Sequence, residues 1–346
     1  MGKRYKFVDA YKGIGIILMI AGHTGYIGFI NKVLSFLRID LTIDQYVHAF
    51  HMPLFFIASG FLYNEKNDNY TIKEYVFRKS KTLLRPYIVI GLVHYLVWLV
   101  MNYKTNSDCL APLINLLCCK TRNLPIAGAI WFLPTLFITE MIWFELRRGR
   151  GSANRVCMIS FLIGIIGSIS VELLPFEPIY DIFPGIVGLG FFAIGYLIKS
   201  NYDLFGFKRT SVISIALLFV IATVLTPFNK VNMRISQYGN IIMFWISAIG
   251  INSTLFILVR WIYEMLGKRL KKLYLMDFLE QIGKMSIIYV CFNQLVIPIL
   301  QTIIHGTYGY FVYLQRTTIL ICTVIVLYGI QKLFEKTKIK WVLGKQ

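Results

Sequence analysis

Three of the five histidines lie in two apolar segments near the N-terminus. His23 ends the run YKGIGIILMIAGHT, and His48 and His51 lie three residues apart in YVHAFHMP. An ionisable side chain inside a bilayer is costly, so each of them predicts a functional site. Imidazole takes up and releases a proton near neutral pH, which suits a general base. No cysteine or acidic side chain stands at zinc-ligand spacing in these segments, so we expect no metal site.

The first of these segments also carries a positive charge. Lys12 precedes His23 by eleven positions. Eleven positions of an α-helix turn through about 1100°, which is about 20° from three full turns, so both side chains lie on one face about 16 Å apart. Asp9 shares that face and is placed to pair with Lys12. The structural alternative is that Lys12 reaches the membrane interface along its aliphatic chain while His23 is a hydrogen-bonded packing residue.

A second group of cations precedes the third apolar segment. The stretch RKSKTLLRPY contains Lys79, Lys81 and Arg85. Several lysine and arginine side chains close together supply charge-assisted donors for phosphate. Positive residues at the inner end of a span also arise from membrane topology alone. Both interpretations of this group are open.

The fourth apolar segment, IWFLPTLFITEMIW, contains Trp131 and Glu140. Trp131 is expected near the outer side of the membrane, and Glu140 deeper. A carboxylate at that depth needs a cationic partner, and Lys12 and Arg85 are the candidates.

Other residues in the apolar segments have structural interpretations. Asn252, Asn293 and Gln294 are expected to form hydrogen bonds between helices, whereas the role of His94 is open. The segment 261–283 mixes cations with large apolar residues and predicts an amphipathic helix on the membrane surface. Small residues predict close helix packing in the sixth apolar segment, at Gly185, Gly188, Gly190 and Gly195.

The elements that must position these side chains are membrane spans. The chain is 57% hydrophobic and only 15% charged, whereas a soluble domain carries about 25% charged residues. Its mean hydropathy is +0.63. The fold class is therefore an all-α, polytopic transmembrane helix bundle, predicted as one domain over residues 1–346. About ten spans are expected, at 8–27, 44–63, 82–101, 128–146, 156–172, 183–198, 210–227, 239–260, 284–304 and 312–331.

The net charge of +19 follows the same topology. Of the 36 lysine and arginine residues, 26 fall in the N-terminus, the C-terminal tail and alternate connections between spans. This bias predicts that both termini are cytoplasmic. It indicates contact with the lipid bilayer rather than with nucleic acid.

The first span lacks a cleavage site, which argues against a signal peptide. A disulfide is permitted but not indicated among Cys109, Cys118 and Cys119, which lie in a predicted outer connection.

Three stretches resemble a known family. They are DAYKGIGI at 9–16, FHMPLFFIASGFL at 50–62 and WFLP at 131–134. Together with ten spans they resemble acyltransferase family 3, the integral-membrane O-acyltransferases that modify bacterial polysaccharides, and most closely its fucose 4-O-acetylase-like branch. The chain departs from the family where Lys12 replaces the common arginine. It departs again where Lys79 and Lys81 replace paired arginines and Arg85 is shifted next to a proline.

The resemblance implies transfer of an acyl group, most simply acetyl, from cytoplasmic acyl-CoA to a hydroxyl of a cell-surface or lipid-linked glycan. It implies His23 as general base, with His51 orienting it, binding the acceptor or assisting the oxyanion. His48, Trp131 and Glu140 are then expected on the substrate side. The CoA phosphates are expected on Lys12, Lys79, Lys81 and Arg85, with the pantetheine arm following the first span.

The same resemblance implies a multi-pass protein of the bacterial inner membrane with acyl-CoA as its donor and no permanently bound cofactor. The acceptor would meet the acyl group at the outer side, or on the inner leaflet if it enters laterally. The sequence is compatible with a homo-oligomer. The competing functions are a polysaccharide flippase or polymerase, a small-molecule transporter and a non-catalytic scaffold, none of which would need acyl-CoA.

Overall fold

The computed structural model describes residues 4–25, 43–102, 108–120, 124, 128–148, 152–173, 182–205, 212–267, 274–304 and 310–344. Apart from one isolated bridge between Asn232 and Gln237, the regular structure of these residues is helical. The described residues form fourteen α-helices, which are in chain order α1 Lys6–His23, α2 Ile43–His48, α3 His51–Leu62, α4 Ile72–Lys79, α5 Arg85–Asn102, α6 Leu110–Leu117, α7 Phe132–Arg148, α8 Ala153–Leu173, α9 Ile182–Ser200, α10 Val212–Leu225, α11 Ile241–Leu266, α12 Tyr274–Lys284, α13 Ser286–Ile303 and α14 Tyr310–Lys336.

Each of the ten predicted spans contains a helix. Seven helical segments of the described part of the chain are long and apolar enough to cross a membrane: Ile72–Asn102, Gly128–Arg148, Ala153–Val171, Ile182–Ser200, Ile241–Leu266, Ser286–Ile303 and Leu314–Lys336. Two shorter apolar helical segments cover Tyr46–Leu62 and Val212–Phe228. The remaining predicted span corresponds to α1, which is apolar after its charged first two turns. The chain is thus an all-α, multi-pass membrane protein.

The outward faces of the bundle are apolar. Leu162, Ile213 and Ile325 are among many large aliphatic side chains that project from the surface. In water such faces would favour aggregation, whereas in hydrocarbon they are the expected lipid contact.

Glycines set the closest helix contacts in the core. A Cβ on Gly195 of α9 would overlap the Ile57 carbonyl of α3, and one on Gly60 would overlap the Phe192 carbonyl. Gly188 likewise accommodates the Phe56 ring, and Gly190 the indole of Trp245. The predicted packing role of the glycines in this span is confirmed. Such contacts let two backbones approach without large side chains between them.

The structure contains the amphipathic helix predicted within 261–283. Residues 268–273 of that segment lie outside the described part, and α12 is an amphipathic helix that packs against α1. Gly13 of α1 lies against the Leu279 carbonyl, and Gly283 lies against the Asp9 carbonyl. The sequence showed an apolar face but not which surface covers it; the small residues of α1 provide that surface.

Candidate functional site

The three predicted histidines meet because helices end at each of them. His23 is the last residue of α1, His48 is the last of α2 and His51 is the first of α3. The His23 and His48 ring centres lie 6.2 Å apart, and those of His48 and His51 lie 5.1 Å apart. A turn at residues 49–50, shortly before Pro53, separates α2 from α3. This break brings His48 and His51 toward the end of α1.

The rings line a cavity of about 350 Å³, which we call the histidine cavity. Trp131 and the backbone of Gly128 and Ala129 form another part of the wall, and Met19 and Phe55 contribute apolar surface. This volume lies within the range of small-ligand sites. Trp131, which was expected on the substrate side, thus lines the same cavity as the three histidines.

His51 is held in one tautomer. Its side chain is buried, and Nδ1 lies 2.8 Å from the Val47 carbonyl oxygen. A carbonyl oxygen only accepts hydrogen bonds, so Nδ1 carries the proton and the neutral ring keeps its lone pair on Nε2. A ring fixed in this way presents a defined acceptor nitrogen.

Arg234 and Gln294 also line the histidine cavity, and the sequence analysis did not identify them as site residues. The Arg234 Nη2 donates to the Leu124 carbonyl at 3.1 Å. Gln294 Oε1 accepts the Ala129 N–H at 2.9 Å, which turns the amide nitrogen of Gln294 away from Ala129. Arg234 stands in the connection between the predicted spans 210–227 and 239–260, and Gln294 was expected to form a hydrogen bond between helices. The polar character of Gln294 within a span was the available signal.

A further cation fixes the end of α1. Arg316 of α14 donates from Nη1 to the carbonyl of Thr24, the residue that follows His23. Gly25 has φ +61°, and a Cβ there would overlap the same guanidinium. Glycine is therefore favoured both by the backbone angle and by the lack of space. Arg316 lies in a predicted span, and a charge inside a span was the signal that could have identified it.

Lys12 has the partner that its spacing predicted. Its Nζ lies 3.1 Å from an Asp9 carboxylate oxygen, and Arg4 binds the other oxygen at 2.8 Å. Lys12 does not line the histidine cavity, nor the second cavity described next. The structure thus places Lys12 in an ion pair at the first turns of α1 and does not bring it to the other predicted phosphate-binding residues.

The second cavity lies where α4 passes into α5 through a π-helical turn at Ser80–Leu84. Its volume is about 640 Å³, and we call it the basic cavity. Arg78, Lys81 and Arg85 line it together with Glu74. Each of the three cations lies over an aromatic ring, namely Tyr70 for Arg78, Phe77 for Lys81 and Trp341 for Arg85. Two predicted phosphate-binding residues, Lys81 and Arg85, are thus brought together.

Lys79 faces away from this group. It forms an ion pair with Glu140, whose carboxylate also accepts the Tyr75 hydroxyl at 2.8 Å. The cationic partner of Glu140 is therefore Lys79, and the expectation of Lys12 or Arg85 was wrong. Glu140 is buried and does not line either cavity. Successive positions of a helix point about 100° apart, so Lys79 projects in a different direction from Arg78 and Lys81.

Two of the remaining polar residues, His94 and Asn252, connect helices. The expectation of an interhelical bond was wrong for Asn293, whose amide donates to the Tyr289 and Val290 carbonyls of its own helix. His94 Nε2 lies 2.8 Å from the Cys291 carbonyl oxygen. Asn252 accepts the Tyr11 hydroxyl at 3.1 Å and donates to the Phe50 carbonyl at 2.9 Å. The predicted interhelical role of Asn252 is confirmed, and His94 has a similar one. All six cysteines, including those of the outer connection, carry free thiols.

Comparison with protein-family models finds a match over most of the chain. A family model described as an acyltransferase domain matches residues 5–331. No curated protein matches the chain.

Proposed function

Because the chain belongs to acyltransferase family 3, we propose that it transfers an acetyl group from acyl-CoA to a hydroxyl of a glycan. The observation that carries this proposal is the convergence of His23, His48 and His51 on one cavity. Oxygen-acyl transfer from a thioester needs a base for the hydroxyl proton and donors for the carbonyl oxygen. Both kinds of group line the histidine cavity.

His23 is the proposed general base. The acceptor oxygen attacks the thioester carbon as a ring nitrogen of His23 takes the hydroxyl proton. The carbon–sulfur bond of the tetrahedral intermediate then breaks, and the imidazolium returns the proton to the CoA sulfur. The products are the glycan ester and CoA with a free thiol, so atoms and charge balance.

The other cavity residues have supporting roles in this proposal. His51, with its fixed tautomer, accepts a hydrogen bond from the acceptor or from His23, and His48 completes the acceptor side with Trp131. The amide nitrogen of Gln294 and the guanidinium of Arg234 are the proposed donors to the developing oxyanion. Glu140 has no substrate role in this scheme because its contacts are to Lys79 and Tyr75.

The donor phosphates are assigned to the basic cavity. Arg78, Lys81 and Arg85 supply several charge-assisted hydrogen bonds there. Under the predicted topology this cavity opens to the cytoplasm, where acyl-CoA is found, and the bilayer is the inner membrane of a bacterium. Neither Lys12 nor Lys79 belongs to the proposed donor site, since each is engaged in an ion pair.

Purified full-length protein in detergent tests the proposal by thioester hydrolysis and by transfer to glycan acceptors. We expect His23→Ala to lower turnover by about 10²- to 10⁴-fold, the usual contribution of a general base. His94→Gln is a matched control, because His94 is a buried histidine outside the cavity whose hydrogen bond an amide can retain. Full activity of His23→Ala would remove His23 as the base, and absence of any acetyl-CoA turnover by the wild type would refute the donor assignment.

A further inference from the structure

The C-terminal segment is docked on the turn that carries the donor-site cations. A 3₁₀ helix spans Lys338–Leu343, and Val342 and Leu343 are buried. Gly344 has φ +69°, and a Cβ there would come within 2.6 Å of the Thr82 Cα. Nη1 of Arg85 donates to the Trp341 carbonyl at 3.2 Å. These contacts fix the segment against the π-helical turn.

Trp341 differs in exposure from the two residues that follow it. Its side chain is 54% exposed, whereas its neighbours Val342 and Leu343 are buried. It forms part of the wall of the basic cavity, and the Arg85 guanidinium lies 5.7 Å from its ring centre. The fold thus presents a large aromatic surface beside Arg78, Lys81 and Arg85.

The basic cavity combines clustered cations with an exposed aromatic ring. Clustered arginine and lysine side chains bind phosphates, and an accessible indole face stacks on a planar heterocycle. The volume of about 640 Å³ is within the range of ligand sites. A tryptophan that only anchors the chain at the membrane interface would need neither the cavity nor the three cations that line it.

We propose that Trp341 stacks on the adenine of the acyl-CoA donor while Arg78, Lys81 and Arg85 bind its phosphates. This inference rests on the proposed function and adds to it a nucleobase site built by the C-terminal segment. One cavity then binds both the base and the phosphates of the nucleotide, and the pantetheine arm extends from it toward the histidines. A donor that lacks the nucleotide would gain no affinity from Trp341.

Donor truncation tests this directly. Acetyl-CoA and acetyl-pantetheine, which lacks the nucleotide, are compared with the full-length protein in detergent. For Trp341→Ala we expect KM for acetyl-CoA to rise about 5- to 100-fold, since one base–aromatic stack is lost. We expect kcat for acetyl-CoA and the kinetics with acetyl-pantetheine to be unchanged. Trp341→Phe, which keeps a stacking ring, should restore most of the affinity.

Tyr274→Ala is the matched control, because Tyr274 is a 90% exposed aromatic residue that does not line the basic cavity. Direct binding of adenosine 3′,5′-bisphosphate, measured by calorimetry, gives a readout that does not depend on turnover. It should weaken by the same factor in Trp341→Ala and not in Tyr274→Ala.

The outcomes separate the two levels of the proposal. If wild-type protein turns over acetyl-CoA and Trp341→Ala leaves its KM unchanged, or changes both donors equally, Trp341 is only a membrane or packing anchor. If the wild type turns over no acetyl-CoA and does not bind the bisphosphate, the proposed function fails and this inference with it.

Discussion

The histidine cavity and the basic cavity are built in opposite ways. Around the histidines, three helices end, and backbone carbonyls or N–H groups fix the side chains of His51 and Gln294. Around the basic cavity, the chain continues from α4 into α5, and long cationic side chains reach out over aromatic rings. The first arrangement fixes His51 and Gln294 by hydrogen bonds. In the second, Arg85 is hydrogen-bonded to the Trp341 carbonyl, but Arg78 and Lys81 lie over aromatic rings on long, flexible side chains.

This difference matches the two tasks that we assign. Acyl transfer depends on reacting groups held at fixed distances, and small displacements lower the rate strongly. Binding of phosphates tolerates side-chain adjustment, because a charge acts over several ångströms. Changes in the histidine cavity should therefore act on kcat, and changes in the basic cavity on KM for the donor.

The largest effect expected to distinguish the two cavities comes from His51. His51→Asn keeps an amide donor for the Val47 carbonyl but removes the second ring nitrogen, so the fold is retained while the acceptor position is lost. We expect kcat to fall by about 10²-fold or more, with KM for acetyl-CoA unchanged and the thermal unfolding temperature near that of the wild type. Lys81→Met provides the contrast, with a higher KM for acetyl-CoA and unchanged kcat.

A His51→Asn variant with wild-type kcat would show that His51 serves only packing. Equal effects of His51→Asn and Lys81→Met on KM would remove the proposed division between the two cavities.

The next effect concerns the boundary of the basic cavity. Removing Lys79 leaves the buried Glu140 charge without its ion-pair partner, and loss of one partner of a buried pair costs about 3 kcal/mol. We therefore expect Lys79→Met to lower the thermal unfolding temperature in detergent while KM for acetyl-CoA stays the same. The double variant Lys79→Met, Glu140→Gln should recover much of the stability, because it removes both charges.

The opposite result is equally informative. If Lys79→Met raised KM as much as Lys81→Met and left the unfolding temperature unchanged, Lys79 would belong to the donor site after all.

The fold and part of the site could be predicted from sequence because their signals are local. Apolar length determined the spans, and the spacing of Asp9 and Lys12 predicted their ion pair. The missing contacts join positions far apart in the chain, as in the Arg316 bond to Thr24 or the Tyr75 bond to Glu140. No periodicity within one helix reports such a contact, because it depends on which helices are neighbours.

The smallest of these effects concerns the contact that fixes the end of α1. Arg316 does not line the histidine cavity, but its bond to the Thr24 carbonyl holds the residue next to His23. Arg316→Gln keeps a donor with less reach and no charge, so we expect the end of α1 to shift and kcat to fall about tenfold, as misplacement of a catalytic group lowers the rate. KM for acetyl-CoA should not change, since the basic cavity is built by other elements.

Gly25→Ala perturbs the same contact from the other side, because its Cβ would overlap the guanidinium of Arg316. If the contact acts by positioning His23, the two variants lower kcat to a similar extent and the combined variant is little worse than either, since both remove one interaction. Additive losses, or losses that follow the unfolding temperature instead of kcat, would mean that Arg316 supports the bundle as a whole. In that case the helix ends alone fix the positions of the histidine side chains in the cavity.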